Sequence, residues 1–394
     1  MREAVIVSTA RTPVAQAFHG ALNDIKSPTL MAYAIRHVVE RSRIEPEAFE
    51  DVVVGTTLAA GTAGGNIARL AVFAAGLPVS VPGQTVDRQG ASGLVAIAIA
   101  AGQIDRGGME ACIAGGQDNV SALHQASIDW MQREADALAV HHVQHAYVPA
   151  VYTAENIAQR FGISRDAQDR YAAESQRRAV MAHEMGRFGA ELVPLQARMK
   201  LDDRKSGGYD WKDVLLSTDE SVRPDATFET LSQLKPTIEG GAITAGNASP
   251  PADGAAACVL AEATYAQRRG LAALGVFRGM AVAAGAPMDA GLAPVLAARK
   301  LLARHGLKAG DIGLWELDES FASDALLFHR QMEIDPVLCN VDGGSVALGH
   351  VPGMTGVRQV GHALIEGKRR GVRFVVVSMG AGGGAGMAAL LEVA

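Results

Sequence analysis

The chain has 394 residues, of which 48% are hydrophobic and 20% are charged. This composition is typical of an enzyme-sized globular protein with two or three domain-sized cores, and it excludes a wholly disordered chain. The formal net charge is −6, from 36 basic and 42 acidic residues, and the sequence contains no long Lys/Arg run. We therefore expect no nucleic-acid partner.

The amino terminus and the cysteines both indicate the compartment. Residues 1–7 have strand character without the apolar core and cleavage site of a secretory signal, and no run of eighteen apolar residues follows. The three cysteines, Cys112, Cys258 and Cys339, are widely spaced and lie in or beside apolar stretches, which suits buried reduced thiols. We expect a cytoplasmic protein with no membrane partner.

In the first part of the chain, short apolar runs alternate with alanine-rich helical stretches, which predicts an α/β layered fold. The predicted strands here are residues 5–8, 51–55, 84–87 and 111–115. Residues 91–104 form a predicted helix that is apolar nearly all round and therefore belongs inside a domain. Its amino end should point from the core into a site.

The last part repeats this plan, with glycine-rich turns at corresponding points, which suggests an internal duplication. The predicted strands are residues 274–277, 313–317, 339–341 and 373–377, and the predicted helices are residues 293–305 and 356–368. Between the two parts, residues 120–250 hold polar helices such as 165–185 and a Lys/Asp/Gly-rich stretch at 200–223. This middle segment is predicted to be an insertion that covers a site.

Six short motifs occur in an order and spacing that resemble the thiolase family over essentially the whole chain. They are Arg88-Gln89-x-Ala91-Ser92-Gly93-Leu94, Ala114-Gly115-Gly116-Gln117, Asp219-Glu220 with Arg223-Pro224, Gly246-Asn247-Ala248-Ser249 with Asp253-Gly254-Ala255-Ala256, Gly343-Gly344-x3-Leu348-Gly349-His350, and Gly382-Gly383-Gly384.

The resemblance implies a thiolase fold of two duplicated α/β halves: residues 1–119, continued at about 249–270, and residues 271–394. It also implies that residues 120–248 form a loop domain that clasps coenzyme A. On the same ground we expect an acyl-CoA substrate, no permanently bound cofactor, and a homodimer or homotetramer.

Two glycines stand where the family has its reactive cysteines. One family cysteine, at the amino end of the buried helix, takes the acyl group, because a helix N-terminus favours a thiolate. A second cysteine, ahead of the last glycine run, moves protons. Here these positions are Gly90 and Gly380, so we expect the acyl-enzyme route to be lost. Ser92 has no obvious base beside it, and its place in the motif suggests a packing role.

The electrostatic part of the family site is still present in the sequence. By resemblance, the N–H groups of Gly90 and Gly382 match the thioester oxyanion hole, and backbone donors do not depend on the side chain. His350 matches the family histidine that holds the other thioester oxygen and so stabilises an enolate.

Asp318 is a third departure from the family pattern. Residues 315–322 resemble the family's Asn-Glu-Ala-Phe motif, with Asp318 in the place of an asparagine that binds a catalytic water. Paired with His350, an aspartate there can act as a base; alternatively it is a drifted residue without a catalytic role. Asp342 also replaces an asparagine, but Asp and Asn both tolerate its turn, so it carries less weight.

The expected coenzyme A contacts also come from the resemblance. Arg223 matches a residue near the nucleotide end, unless it is simply a solvated arginine. Thr230 and Ser249 match small hydroxyl positions along the pantetheine arm. Ala150-Val151 replaces the usual Met-Gly, so the acyl pocket or an oligomer contact should differ. The histidines 141, 142 and 145 lack a nearby carboxylate or cysteine, and we predict no metal site.

Three functions remain open from the sequence. The first is an acyl-CoA enzyme that makes or breaks a carbon–carbon bond through a thioester enolate, of aldol, retro-aldol or retro-Claisen type. The second is a catalytically silent homologue that binds acyl-CoA or an accessory protein. The third is a cysteine-deficient form of an acetyl-CoA C-acyltransferase. The first is preferred because it needs the oxyanion hole and His350 but no cysteine.

Overall fold

The computed structural model describes residues 2–203 and 208–394, apart from the side chains of residues 123–125 and 203. The strands of this part are β1 (Ala4–Arg11), β2 (Ala15–Gln16), β3 (Asp51–Gly55), β4 (Gln84–Val86), β5 (Ala111–Asp118), β6 (Leu195–Asp203), β7 (Gly208–Leu216), β8 (Ala252–Glu262), β9 (Gly275–Ala284), β10 (Leu314–Leu317), β11 (Phe374–Ala381) and β12 (Ala385–Val393).

The α-helices of the same part are α1 (Ser27–Ser42), α2 (Ile67–Ala75), α3 (Ser92–Asp105), α4 (Val120–Arg133), α5 (Ala137–His142), α6 (Ala150–Arg160), α7 (Arg165–Glu184), α8 (Phe228–Ser232), α9 (Ala263–Arg268), α10 (Ala293–His305), α11 (Ala322–Met332), α12 (Ser345–Leu348) and α13 (Pro352–Arg370). Two short 3₁₀ turns, Pro287–Leu292 and Gly382–Gly384, lie near the site.

One large mixed sheet runs through the molecule in the order β10-β11-β12-β9-β1-β8-β5-β3-β4, with β2 paired to β8. The order has the same plan on either side of the β1–β9 pair. Each half carries parallel strands outermost and antiparallel strands toward the middle. The prediction of a layered α/β fold with two similar halves is confirmed.

The helices form layers on both faces of the sheet. Helices α3 and α13 pack on one face and share a core with strands of both halves. Helices α1 and α2 cover the opposite face of the first half, and α10 and α11 cover that of the second. Because α3 is packed between α13 and the sheet, it is apolar nearly all round, as predicted.

Glycines allow α13 to approach the first half closely. An ideal Cβ on Gly116 of β5 would lie 1.8 Å from the carbonyl oxygen of Gly353, and one on Gly93 of α3 would lie 2.3 Å from the same oxygen. No side chain fits at either position. The glycines in these two motifs therefore bring the start of α13, and the residues just before it, beside the start of α3.

One predicted strand is wrong, and five of the observed strands, β2, β6, β7, β8 and β12, were not predicted. Residues 339–341 form a single bridge, Trp315 to Cys339, because a 3₁₀ turn precedes them and Asn340 turns the chain with φ 44°. The central strands β8 and β12 are rich in alanine, which has weak strand preference.

The middle segment contains α4 to α8 and the antiparallel hairpin β6–β7. Residues 204–207 of the predicted Lys/Asp/Gly-rich stretch lie outside the described residues. Strand β8 pairs with β1 and β5, so residues 252–262 belong to the sheet of the first half. The division at 119, 248 and 271 stays a prediction. Within the described ranges, none of the helices has the length and hydrophobicity to cross a bilayer.

Candidate active site

Four chain segments that are far apart in sequence meet at the carboxyl edge of the second half-sheet. Strands β10 and β11 are parallel, so their carboxyl ends lie side by side, and the N–H of Asp318 donates to Ser378 O at 2.9 Å. Gly380 follows on β11. The loop before α3 brings Gly90, and the turn before α13 brings His350.

The position of Gly90 faces the histidine directly. An ideal Cβ on Gly90 would lie 3.2 Å from Gly380 O and 3.6 Å from His350 Nε2. Its φ is outside the left-handed region, so the backbone does not require glycine there. The first carbon of a side chain at position 90 would therefore lie within van der Waals contact of His350 Nε2.

Gly380 and Gly382 border the same space. An ideal Cβ on Gly380 would contact only Pro294 Cγ, at 3.9 Å, within 4 Å. An ideal Cβ on Gly382 would lie 3.3 Å from the side chain of Gln89, so the turn Gly382–Gly384 packs against the segment that carries Gly90. The Gly380 position is open, whereas a side chain at Gly382 would press on Gln89.

The hydrogen-bond partners of His350 define which ring nitrogen carries the proton. Nδ1 lies 3.3 Å from Asp318 Oδ1 and 3.2 Å from Thr355 Oγ1. The Thr355 hydroxyl donates to Val351 O at 2.9 Å, so its oxygen can only accept from the imidazole. Both neighbours of Nδ1 are acceptors, which assigns the hydrogen to Nδ1 and leaves the Nε2 lone pair facing Gly90.

Asp318 is held in place by its own loop. Its side chain is 2% exposed, and Ser320 Oγ donates to Asp318 Oδ2 at 3.0 Å. The next residue, Glu319, anchors the same loop through its hydrogen bonds. Glu319 accepts hydrogen bonds from Tyr171 Oη, Ser175 Oγ, Asn340 Nδ2 and Val346 N, at 2.5–3.2 Å. This network fixes the carboxylate of Asp318 against the imidazole.

Two backbone N–H groups border the space in front of His350. Gly90 lies two residues before the first residue of α3, and Gly382 opens the 3₁₀ turn Gly382–Gly384. That the N–H groups of Gly90 and Gly382 form an oxyanion hole stays a prediction from the resemblance.

In the described part of the chain, no thiol or hydroxyl lies within 4 Å of the Cβ position of Gly90, beside His350. Cys112, Cys258 and Cys339 are all buried, and burial raises the pKa of Cys112 and Cys258 to about 12 and that of Cys339 well above its usual value. The buried Ser92 hydroxyl donates to Gln89 O at 2.6 Å and accepts from Arg88 N at 2.8 Å. A longer contact, 3.4 Å, joins the hydroxyl to Thr56 O, so its partners lie in its own turn and just after β3.

The three residues assigned to coenzyme A lie at separate points of the fold. Ser249 Oγ donates to Ser320 O at 3.1 Å, directly beside the Asp318 loop. Thr230 is exposed on α8, where its hydroxyl caps the helix through Thr227 N. Arg223 lines a cavity of about 470 Å³ together with two further cations, Arg170 and Arg177.

The other residues singled out in the sequence lie elsewhere. Asp342 Oδ2 is 3.5 Å from His362 Nε2, so this carboxylate belongs to a buried ion cluster and not to the site. His141 and His142 are exposed and contact each other edge to face. Among the residues described, no cluster of three His, Cys, Asp or Glu side chains is arranged to hold a metal.

Sequence reasoning missed one residue near the site. Asp324, in the first turn of α11, has its Oδ1 buried without a hydrogen-bond partner among the described residues. Its only sequence signal is a carboxylate six residues after Asp318, inside an otherwise apolar helix start.

Comparisons with known proteins cover both halves of the molecule. The family description "Thiolase, N-terminal domain" matches residues 4–264, and "Thiolase, C-terminal domain" matches residues 271–393. The chain belongs to the thiolase family. The thiolase fold inferred from the sequence motifs is thereby confirmed.

Individual thiolases are similar over the full chain. The peroxisomal 3-ketoacyl-CoA thiolase A of Rattus norvegicus is 40% identical over 395 residues, which are 99% of this chain and 88% of that one. The 3-ketoacyl-CoA thiolase of Bacillus subtilis (strain 168) is 38% identical over 396 residues, all of both chains. The crystal structure of the Bacillus anthracis acetyl-CoA acetyltransferase superimposes with TM-score 0.88 at 34% identity, covering 100% of this chain and 99% of that one.

The chain is thus a member of a family of acyl-CoA acyltransferases, whose substrates are coenzyme A thioesters and which need no permanently bound cofactor. Its relatives include both peroxisomal and bacterial proteins.

Proposed function

We propose that this thiolase homologue makes or breaks a carbon–carbon bond of an acyl-CoA through a thioester enolate, without an acyl-cysteine, in an aldol, retro-aldol or retro-Claisen reaction. The observation that carries the proposal is the imidazole–carboxylate pair His350–Asp318, whose Nε2 faces position 90, where a glycine stands. Ordinary thiolase turnover is not expected, because no thiol of the chain reaches this point.

The pair His350–Asp318 is suited to act as a general base. With Nδ1–H bonded to Thr355 Oγ1, the neutral ring accepts a proton at Nε2, and the Asp318 carboxylate, 3.3 Å from Nδ1, stabilises the imidazolium that forms. In a retro-aldol step, Nε2 takes the proton of the β-hydroxyl group. The Cα–Cβ electron pair then moves into the thioester as an enolate while the carbonyl product departs.

The same groups complete the step. The enolate oxygen is stabilised by the imidazolium or by the N–H groups of Gly90 and Gly382. The proton held on Nε2 returns to Cα, so the site ends in its starting state and no oxidant or external acid is consumed. For a retro-Claisen step, Nε2 instead takes a proton from water that attacks the β-keto group.

The positions of Ser249, Thr230 and Arg223 support binding of coenzyme A along one path. Ser249 touches the Asp318 loop, and Leu231 and Leu234 pack against the Gly246 turn that leads to it. Arg223 and the cations beside it lie at the outer end, where they suit an anionic nucleotide. We propose that the pantetheine arm follows this path to His350.

We also propose that the protein is a homo-oligomer. Strand β4, half-buried, forms one edge of the large sheet, and such an edge can pair with a second copy. Light scattering of the purified protein distinguishes monomer, dimer and tetramer.

The proposed activity is tested with a panel of β-hydroxyacyl- and β-ketoacyl-CoAs, with separated products identified by mass. Turnover of a β-hydroxy substrate to a shorter acyl-CoA and a carbonyl compound supports aldol-type chemistry, and hydrolytic cleavage of a β-keto substrate supports the retro-Claisen type. Binding of acyl-CoA without turnover, also with candidate accessory proteins present, would favour the silent homologue.

The cysteine-deficient alternative has its own test. Gly90→Cys with Gly380→Cys requires only small shifts, since the nearest atoms to the new Cβ positions are at 3.2 and 3.9 Å. If the unaltered protein is inactive and this double variant cleaves acetoacetyl-CoA with coenzyme A, the protein is a thiolase that lacks its cysteines. The single Gly380→Cys variant is the matched control, because it lacks the acyl acceptor.

A further inference from the structure

Two hydrogen-bond acceptors face the space beside Gly90. An ideal Cβ on Gly90 would lie 3.2 Å from Gly380 O and 3.6 Å from His350 Nε2, so both atoms border the same point. The φ angle of Gly90 is outside the left-handed region, so the backbone does not require a glycine there. The absence of a side chain therefore matters for the space between the two acceptors and not for the turn.

The Gly380 carbonyl is directed away from the neighbouring strand β12. Ser378 O, two residues earlier on β11, accepts from Asp318 N at 2.9 Å and so points toward β10. Carbonyl groups two residues apart on a strand point to the same side, and β10 ends one residue before Asp318. Gly380 O therefore extends past the end of β10, into the space that Gly90 and His350 border.

The second acceptor, His350 Nε2, can also take up a proton. Thr355 Oγ1 accepts from Nδ1–H at 3.2 Å, and Asp318 Oδ1 lies 3.3 Å from the same nitrogen, so the lone pair is on Nε2. The side chain is 16% exposed, which lets a molecule the size of water reach the ring.

Two acceptors that border one space favour a molecule with two donors. A β-hydroxyl group of a substrate has one proton and leaves one acceptor unpaired. The thiol of coenzyme A offers one weak donor. Water has two protons, so it can donate to both acceptors and keep a lone pair free. Because an acceptor without a donor is costly once a substrate excludes solvent, the arrangement favours water.

We propose that water held between His350 Nε2 and Gly380 O is the nucleophile of this site, and that the enzyme hydrolyses the carbon–carbon bond of a β-ketoacyl-CoA. The inference rests on the proposed function and selects its retro-Claisen form. It gives the backbone carbonyl of Gly380 a direct part in the reaction, since this oxygen orients the attacking water.

The reaction consumes one water and needs no oxidant. One water proton passes to Nε2 while the water oxygen bonds to the β-carbonyl carbon, whose own oxygen takes the electron pair of the π bond. As this carbonyl re-forms, the Cα–Cβ bond breaks and its electron pair enters the thioester as an enolate. The imidazolium then returns its proton to Cα. The products are a carboxylic acid, which keeps the second water proton until it ionises, and an acyl-CoA that ends at Cα.

Cleavage of a β-ketoacyl-CoA by the full-length protein in ¹⁸O-labelled water tests the nucleophile. In short reactions we expect one ¹⁸O atom in the carboxylic acid and none in the shortened acyl-CoA, also when free coenzyme A is in excess. A second acyl-CoA formed from free coenzyme A would assign the attack to the thiol and overturn the inference. Cleavage restricted to a β-hydroxyacyl-CoA, with release of a carbonyl compound, also overturns the inference but keeps the proposed function.

Gly90→Ala narrows the space between the two acceptors. The new methyl group stands 3.2 Å from Gly380 O and displaces the water, whereas the N–H of residue 90 is kept. We expect kcat for β-ketoacyl-CoA cleavage to fall about 10²-fold, the effect of misplacing a reacting group by about 1 Å. Exchange of the Cα hydrogens of acetyl-CoA in deuterium oxide needs His350 but no nucleophile, so its rate should be nearly unchanged. An equal fall in both rates contradicts the inference.

Gly102→Ala is the matched control for this variant. It adds the same methyl group near the other end of α3, where no described atom of another segment lies within 4 Å of the new Cβ. Both rates should equal those of the unaltered protein. Urea unfolding of the two variants in parallel shows whether Gly90→Ala folds as the unaltered protein does.

A probe that needs neither turnover nor a variant tests the water position directly. The ketone of trifluoroacetoacetyl-CoA adds water readily, and fluorine NMR distinguishes its hydrate from the ketone and the enol. We expect the unaltered protein to bind the hydrate, whose second hydroxyl group takes the place of the attacking water between the two acceptors. Binding of the ketone or enol instead, or no binding, overturns the inference. A bound hydrate in a protein that cleaves no acyl-CoA keeps the water position and rejects the proposed function alone.

Discussion

His362 and His350 each face a carboxylate through Nδ1, at 3.1 Å from Glu191 and 3.3 Å from Asp318. His362 is 2% exposed, and its other nitrogen lies 3.5 Å from Asp342. His350 is 16% exposed, and its other nitrogen faces Gly90. Both histidines thus lie beside a carboxylate. His362 has a carboxylate near each of its ring nitrogens, whereas His350 has one near Nδ1 alone.

The paired histidine belongs to what we name the Arg11 ion cluster, formed by Arg11, Glu191, Asp219, Asp342 and His362. Arg11 donates to Asp219 through two nitrogens, at 2.7 and 3.0 Å, and to Glu191 at 2.7 Å. Burial alone would lower the pKa of His362. The charge of Glu191 and the hydrogen bonds of the imidazole to Asp342 and Glu191 outweigh this and raise the pKa to about 10. The cluster therefore holds fixed charges and stabilises the fold across distant segments.

His350, which has only one ring nitrogen paired, is the histidine that can exchange a proton with a ligand. The Asp318 carboxylate orients the ring. Nε2 faces Gly90, which has no side chain that could donate or accept a hydrogen bond. Pairing at both nitrogens suits His362 to a structural role, whereas pairing at one nitrogen, with the other toward an open position, suits His350 to proton transfer.

The largest expected effect is the loss of activity in His350→Ala. Removal of the base should lower kcat by about 10²–10⁴-fold, which is the usual contribution of general acid–base catalysis. The free energy of unfolding should change little, since the ring is not enclosed by an ion cluster. His141→Ala, an exposed histidine, is the control. Activity that survives in His350→Ala would exclude the histidine from the chemistry.

The second prediction concerns pH and stability, and it applies to His362. Its pKa is raised in the folded state, so its stabilising contribution is complete below pH 6.5 and is lost as pH rises through about 10. At about 1.4 kcal/mol per pH unit, a rise from 6.5 to about 10 corresponds to about 5 kcal/mol.

Urea unfolding between pH 7.5 and 10 measures this contribution. The free energy of unfolding of the unaltered protein should fall across this range, and that of His362→Gln should fall much less. Buried carboxyls with a pKa raised from 4.5 to about 7, such as Glu316, change the stability with pH mainly between these two values. Above them their cost is constant, so they do not obscure the trend between pH 7.5 and 10. Parallel pH curves for the two proteins would show that His362 is neutral in the folded state.

A third, smaller effect is expected for Asp318→Asn. The asparagine carbonyl still accepts from Nδ1–H, so the substitution removes the charge and keeps the ring orientation. We expect kcat to fall by about 10²-fold with little change in KM, because the imidazolium loses its counter-ion. Steady-state kinetics with the acyl-CoA that the unaltered protein cleaves measures the change. Unchanged kcat would support the view that Asp318 is a drifted residue.

Local patterns predicted much of the fold. The helix 293–305 and the strand 51–55 occur with the predicted bounds, because their apolar spacing is regular and turn residues flank them. Strands β8 and β12 escaped prediction because they are buried on both faces and rich in alanine, so they show neither alternation nor strong strand preference.

The site was only partly accessible to sequence reasoning. Gly90, Asp318, His350 and Gly380 were grouped through motifs, and the structure brings them together. Asp324 was missed because its burial under Gly291 is a property of the completed fold, which no local pattern expresses. The Arg11 ion cluster was missed for a related reason, since its members come from five segments that only the completed fold joins.

The smallest predicted effect distinguishes packing from chemistry at Ser92. Its hydroxyl donates to Gln89 O and accepts from Arg88 N, and it thereby supports a turn in which Gln89 has φ 48°. Ser92→Ala should cost about 1–2 kcal/mol of unfolding free energy, the usual effect of losing a buried hydrogen bond.

Ser92→Ala should leave kcat within a few-fold of the unaltered value, because His350 Nε2 faces the Gly90 position and the Ser92 hydroxyl is engaged within its turn. Urea unfolding and steady-state kinetics on the same preparation separate the two effects. If kcat instead falls as far as in His350→Ala while stability is retained, Ser92 is a nucleophile. The glycine at position 90 would then mark a relocated acyl-enzyme step and not its loss.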